Sequence, residues 1–217
     1  MAATNLLAIL AHEVSRDLEV DWHHIADTLR SLRCATFNPV AYRTAGEDTA
    51  GTHVWGIFCV VYSQKTLPEH SQLEALLGPS LGENLDIRVY ESLPPGDQIG
   101  VPTSFEKHYM VWNGMTPNDS AEETFNDWYK EEHIPMLSAV PGWRSSRRFR
   151  LLSASTSPPR YLALHEWQTC DAFGTPEFKA ATNTPWRTRV VVEQVNQKER
   201  HLLAYQGRVE DLEQRAR

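Results

Sequence analysis

Hydrophobic positions along this chain change period at regular intervals, and the changes divide it into alternating strands and helices. An apolar run at Leu6–Val14 predicts a strand, followed by a helix at about Asp21–Leu32 and a strand at Thr36–Arg43. After a polar loop come a long strand at His53–Ser63, a helix opened by Pro68, and a strand at Leu85–Leu93. The rest of the chain repeats that order. Its strand His108–Gly114 leads to a helix, then to strand Trp143–Leu152, a loop at Ser153–Pro159 and strand Tyr161–Thr169. A helix capped by Asp171, a helical stretch after Pro185 and a strand at His201–Tyr205 complete it.

Residues also match across the halves. His24-Ile25 parallels His133-Ile134, Ala41-Tyr42-Arg43 parallels Arg148-Phe149-Arg150, and Leu67-Pro68-Glu69 parallels Thr175-Pro176-Glu177. The order β-α-β-β-α-β is the ferredoxin-like unit, which covers one sheet face with helices and leaves the other needing a partner. The expected fold class is therefore α+β, with two tandem ferredoxin-like units packed sheet to sheet within one chain. The expected division is a divergent first unit over 1–93, a Pro- and Gly-rich linker over 94–106, a second unit carrying the site over 107–206, and a solvated or frayed tail over 207–217.

One helix of the second half breaks local rules. Numbered at about 100° per residue from Tyr129, Phe125, Met136 and Val140 fall on one apolar stripe, with Glu132 and His133 on its two flanks. Titratable groups leaning toward a core are uncommon unless paired or used. Pro135 lacks an amide donor and frees the carbonyl of Glu131. Ser120 and Glu123 predict a capping box at the start, and Pro141-Gly142 a stop at the end.

His133 is the first candidate for acid/base chemistry. Burial disfavours its cation and a neighbouring carboxylate restores it, which would leave its proton affinity near neutral pH. The structural alternative is a histidine bonded to a backbone carbonyl. His165 lies mid-strand on an aromatic face with Tyr161, Ala163 and Trp167. His108, Met110 and Trp112 share one face of the preceding strand and are expected beside the same pocket. Trp128, Trp167 and Trp186 are core by default and also suit the walls of a flat aromatic site. Arg144, Arg147, Arg148 and Arg150 read as a basic edge strand or a carboxylate contact, and Arg187 and Arg189 share that ambiguity.

Composition narrows the classes. The 217 residues are 41% hydrophobic and 23% charged with net charge −7, ordinary for a globular chain and unfavourable for a nucleic-acid or anionic-membrane partner. No apolar run approaches the roughly 20 residues of a membrane span. Cys34, Cys59 and Cys170 are odd in number and far apart, so neither a disulfide framework nor a cysteine zinc site is expected, and the expected setting is the reducing cytoplasm. No His-Glu-x-x-His spacing appears, and no metal site is expected.

The string Asp127-Trp128-Tyr129-x-x-Glu132-His133-x-Pro135-x-Leu137, followed by Val140-Pro141-Gly142-Trp143, resembles the signature of EthD-like proteins. Tyr161–Trp167 and Thr184-Pro185-Trp186-Arg187 resemble the fungal branch of that family. These proteins belong to the dimeric α+β barrel superfamily. The resemblance covers roughly Lys107 to Tyr205, and the first half lacks the string. It implies a dimeric α+β barrel, built here within one chain, with pockets between each sheet and its helices. It also implies relatives that decarboxylate, cyclise, dehydrate or oxygenate aromatic polyketide intermediates without a cofactor, and others that bind haem.

Carried onto this chain, the catalytic set is His133, with Glu132 or Asp127 setting its tautomer and Tyr129 and His165 binding a developing oxyanion. Trp128, Trp112, His108, Met136, Trp167 and Trp186 would bind substrate. The leading expectation is a cofactor-independent lyase or cyclase acting on an aromatic or polyketide-like molecule, as a monomeric internal pseudo-dimer or a homodimer. The alternatives are a cofactor-free or haem-dependent monooxygenase, and a non-catalytic binding module. The last predicts no cavity of about 300 Å³ beneath the helix.

Overall fold

A computed structural model describes residues 5–13, 20–32, 35–45, 53–61, 67–94 and 107–216. The expected linker, apart from its first residue, and Cys34 lie outside them. The first half contributes β1 (Asn5–Glu13), α1 (Trp22–Ser31), β2 (Ala35–Thr44), β3 (His53–Val61), α2 (His70–Leu81) and β4 (Leu85–Ser92). The second contributes β5 (Tyr109–Pro117), α3 (Glu122–Trp128), α4 (Ile134–Ser138), β6 (Trp143–Ala154), β7 (Tyr161–Trp167), α5 (Pro176–Ala181), α6 (Pro185–Thr188), β8 (Val195–Arg208) and α7 (Val209–Arg215).

The eight strands close into a barrel in the order β1-β3-β2-β8-β5-β7-β6-β4. Within it, β4-β1-β3-β2 and β8-β5-β7-β6 are the same permutation, so each half is a ferredoxin-like sheet. The halves are hydrogen-bonded edge to edge: β2 pairs with β8 from Val40↔Arg208 to Thr44↔Leu203, and β4 pairs with β6 from Arg88↔Ala154 to Ser92↔Phe149. Every strand thereby gains two neighbours, and no edge is left to recruit another chain. The basic strand β6 is accordingly no edge. Arg148 on it is half-buried against aromatic rings, its guanidinium 4.1 Å from the centroid of Tyr129.

Period-two alternation sorts each strand between two environments. Met110 and Trp112 of β5, Leu162 and Leu164 of β7, and Leu203 of β8 fill the barrel interior with Phe58, Tyr90 and Phe149. Their neighbours Val111, Ala163 and Trp167 face the helices. On the first-half side the helix layer packs Ile25, Leu29, Leu73, Leu77 and Val209 against Leu7, Ile9 and Ile57. Val209 belongs to α7, so the segment expected to be a solvated tail docks on α1. Its Glu213 is buried and bonds His23 and Arg30. The alternating charges masked an amphipathic turn whose few apolar positions are all that docking needs.

The central helix of the second half is three segments. A 3₁₀ turn at Asp119–Ala121 enters α3, a π turn over Tyr129–His133 follows, and after α4 the chain turns into β6 through Gly142 with φ +85°. No capping box forms: Ser120 bonds the Asn118 side chain, and no side chain caps the amides at Ala121. The π turn sits where Pro135 withholds its amide, and Ile134 N–H instead reaches back to the Tyr129 carbonyl. β8 begins at Val195, well before the expected His201, which carries Lys198, Glu199 and Arg200 into the sheet opposite Met115, Gly114 and Asn113. Thr169, Thr175 and Thr184 cap the turns after β7, in place of Asp171.

Candidate active site

A cavity of about 360 Å³ lies between the outer face of β5, β7 and β8 and the helices of the second half. Val111, Met115, Leu137, Trp128, Trp167, Phe178 and Val191 make most of its wall apolar. Thr182, Asn113, Arg187, Lys198, Glu199 and Arg200 add polar groups, and His133 and His165 complete it. A second hollow, an open groove of about 770 Å³ at the β2–β8 seam, is lined by Lys107, Tyr109, Tyr205 and Asp211 among others and holds no imidazole.

His133 reaches the cavity because the π turn inserts one residue's worth of rotation, about 100°, between α3 and α4. Its ring stacks on the Trp128 indole at 4.4 Å and meets Tyr129 edge-on at 5.4 Å. The Ala181 carbonyl accepts from the ring while Nδ1 is buried with no partner, which assigns the proton to Nε2 and leaves the Nδ1 lone pair open. Burial above all, then the positive charges of Arg187 and Arg148, lower its pKa to about 3. The expected carboxylate support is missing. Glu132 accepts instead from Trp128 Nε1 at 3.1 Å and Thr184 Oγ1 at 2.5 Å, holding the indole against His133 and the helix against the N-terminus of α6. His133 is therefore neutral at rest, a correction to the near-neutral proton affinity expected from sequence.

His165 projects from β7 at 5.7 Å from His133, ring centroid to centroid, with the rings perpendicular. Its Nδ1 is 2.7 Å from Ser146 Oγ, which also accepts from Trp143 Nε1 at 3.0 Å. The hydroxyl has one proton to give, and Nδ1 is the acceptor within its reach in the tautomer adopted here. His165 then carries its own proton on Nε2, which is buried with no partner. Burial, then competition with His133 for a proton and the nearby charges of Arg148 and Arg200, push its pKa well below the usual value. The cavity thus brings together an open imidazole lone pair and an open imidazole N–H.

The other expected site residues divide. Trp128 and Trp167 line the cavity; Met136 and Trp186 are half-buried, pack behind it and do not. Tyr129 lies beneath both histidines, where burial raises its pKa to about 12. Asp127 is half-buried and is not part of the lining. Two assignments fail because β5 alternates: Trp112 points into the barrel and stacks on Phe58, and His108 bonds the Tyr42 hydroxyl at 2.9 Å. Sequence reasoning missed Lys198, Glu199 and Arg200, which precede the strand expected at His201–Tyr205. Glu199 loses proton affinity, to a pKa of about 2, because bonds from His201 and Arg88 outweigh the opposing cost of its burial.

Among the described residues no group of three or more His, Cys, Asp or Glu is arranged to hold a metal ion, and no helix is long and apolar enough to cross a membrane.

No family model and no curated protein matches this chain. Solved structures do match. An anthrone oxidase-like protein superposes with TM-score 0.58 at 14% identity, over 95% of this chain and 92% of that one. A chlorite dismutase mutant from Candidatus Nitrospira defluvii, in complex with cyanide, gives 0.58 at 10% identity, over 98% and 95%. An uncharacterised ferredoxin-fold protein from Listeria monocytogenes, related to antibiotic biosynthesis monooxygenases, gives 0.50 at 12% identity, over 95% and 96%. The fold is that of the ferredoxin-like α+β barrels. At these identities the likeness extends to architecture alone.

Proposed function

We propose that this protein is a cofactor-independent enzyme that enolises a hydrophobic aromatic or polyketide-like small molecule, most simply a lyase or cyclase. The observation that carries the reading is the pair of buried imidazoles on one largely apolar cavity, one with an open lone pair and the other with an open N–H. In this reading His133 Nδ1 takes a proton from an activated carbon or phenol, and His165 Nε2–H donates to the oxygen on which negative charge develops. A neutral imidazole with depressed proton affinity is a weak base in isolation. The charges that depress it, Arg187 and Arg148, also stabilise the enolate that its action creates, and that anion in turn raises the proton affinity of His133. Trp128 and Trp167 supply flat walls for a ring system.

Decarboxylation, aldol-type cyclisation and dehydration all pass through such an enolate, and so does oxygenation by direct reaction with O₂. The fold likeness to an anthrone oxidase-like protein and to a relative of monooxygenases favours keeping oxygenation as the second reading. Turnover of a panel of polyhydroxylated naphthalenes, anthrones and aromatic polyketide intermediates tests both. The reading expects at least one to be turned over, and His133→Ala to lower kcat/KM by about 10²–10⁴. Undiminished activity in a folded His133→Ala protein contradicts it. An unchanged rate without oxygen supports the lyase or cyclase; oxygen uptake matching turnover selects oxygenation. A Soret band after haem-supplemented expression would overturn the cofactor-free assignment.

A further inference from the structure

Three cations line the cavity with no acid to neutralise them. Arg187, Lys198 and Arg200 all contribute to its wall, and among the described residues none of the three forms an ion pair. The one carboxylate in the wall, Glu199, is bound by Arg88 at 2.7 Å and His201 at 2.8 Å. Arg200 loses proton affinity through desolvation with nothing opposing it, as expected of a guanidinium lacking a counter-ion. Arg187 bears in turn on His133 and Tyr129. Arg187 is half-buried, and Lys198 and Arg200 are exposed residues that border the cavity. An acidic chain with net charge −7 that leaves three cations unmatched around one small hollow has concentrated positive potential there.

We propose that the substrate is an anion, a fused-ring aromatic bearing a carboxylate or an equally acidic hydroxyl, whose charged group is held by Arg187, Lys198 and Arg200 while its reacting carbon lies at the His133–His165 pair. This rests on the enzymatic reading of the same cavity and adds the charge of its ligand. Arg200 lies across from Asn113 and Lys198 across from Met115 on the paired strands of the wall, while Trp128, Leu137, Trp167 and Phe178 supply apolar surface. A hydrogen-bonded charge in such a wall discriminates by about 1.5–3 kcal/mol, or roughly ten-fold to a hundred-fold in affinity.

The test compares 2-naphthoate with its neutral methyl ester, using tryptophan fluorescence quenching of the full chain. The acid is expected to bind at least about ten-fold more tightly than the ester, and the preference to weaken as NaCl is raised. The combined variant R187Q/K198Q/R200Q is expected to abolish the preference while still binding the ester. His133→Ala is expected to keep it, because that ring is neutral. Equal binding of acid and ester, or a preference that survives the triple substitution, overturns the proposal and leaves the enzymatic reading standing. Binding of neither compound overturns the proposal and the small-molecule reading together.

Discussion

In the first half of the barrel α1 turns Ile25 into the core and sends His24 outward, where its Nε2 lies 2.7 Å from the Leu76 carbonyl. In the second half the corresponding pair is reversed: His133 is buried and Ile134 is only half-buried. The strand permutation is the same in both halves, so topology does not separate them. The helix does. α1 is regular over Trp22–Ser31, whereas its counterpart carries a π turn that rotates the chain by about one residue and delivers an imidazole to the inside. The space beneath is treated accordingly. Leu29, Leu73, Leu77 and Val209 fill it in the first half, while in the second a cavity of about 360 Å³ persists. One unit keeps the barrel closed and the other carries the candidate chemistry, and an inserted residue in one helix is the difference.

Removing that residue breaks the comparison most severely. Deletion of the exposed Lys130 converts the π turn to a regular helix and rotates His133 away from His165. Turnover is expected to fall as far as in His133→Ala, about 10²–10⁴, with the far-UV circular dichroism preserved. Full activity would mean that the turn is incidental.

A smaller effect separates the halves by pH. The folded-state pKa of His133, about 3, lies below the unfolded value near 6.5, so between those limits the unfolded chain binds a proton that the native protein excludes. The associated stability is fully present above pH 6.5 and is lost as pH falls toward 3. Going from pH 7 to 5 is expected to remove about 2 kcal/mol through this group alone. Urea unfolding of His133→Gln at the two pH values checks it: the variant's midpoint should drop less than that of the parent. His24→Ala is the smallest change, at a solvent-facing site. Its stability should stay within about 0.5 kcal/mol of the parent and its turnover should be unaltered.

Much of this architecture was legible in the chain. The recurrence of β-α-β-β-α-β, with proline before the later helix of each half, carried the two ferredoxin-like sheets, because period-two and helical patterning are local properties. How the sheets join was not local. The β2–β8 and β4–β6 seams link residues more than a hundred positions apart or across the halves, and nothing in the Arg-rich stretch of β6 announces a second partner. At the site, His133 and His165 stood out as titratable groups among apolar neighbours. The π turn, however, shifts the helical phase at Glu132 and His133, so Glu132 serves Trp128 and Thr184 and not His133. Pro135 was the available signal, since a missing amide is what a π turn accommodates. His108 and Trp112 were misplaced because a strand register one residue out moves every side chain to the opposite face. Arg187 comes from α6, and Lys198 and Arg200 from the part of β8 that precedes the strand expected at His201.

The account turns on two neutral imidazoles facing one cavity in the second half. Nitrogen-15 NMR of histidine-labelled protein, with the His133→Gln and His165→Gln variants for assignment, reads their charge and tautomer directly. Between pH 7.5 and 5 both rings are expected to remain neutral, each protonated at Nε2, with chemical shifts that do not move. Titration of either ring near pH 6.5, or a proton on Nδ1 of His133, would contradict it.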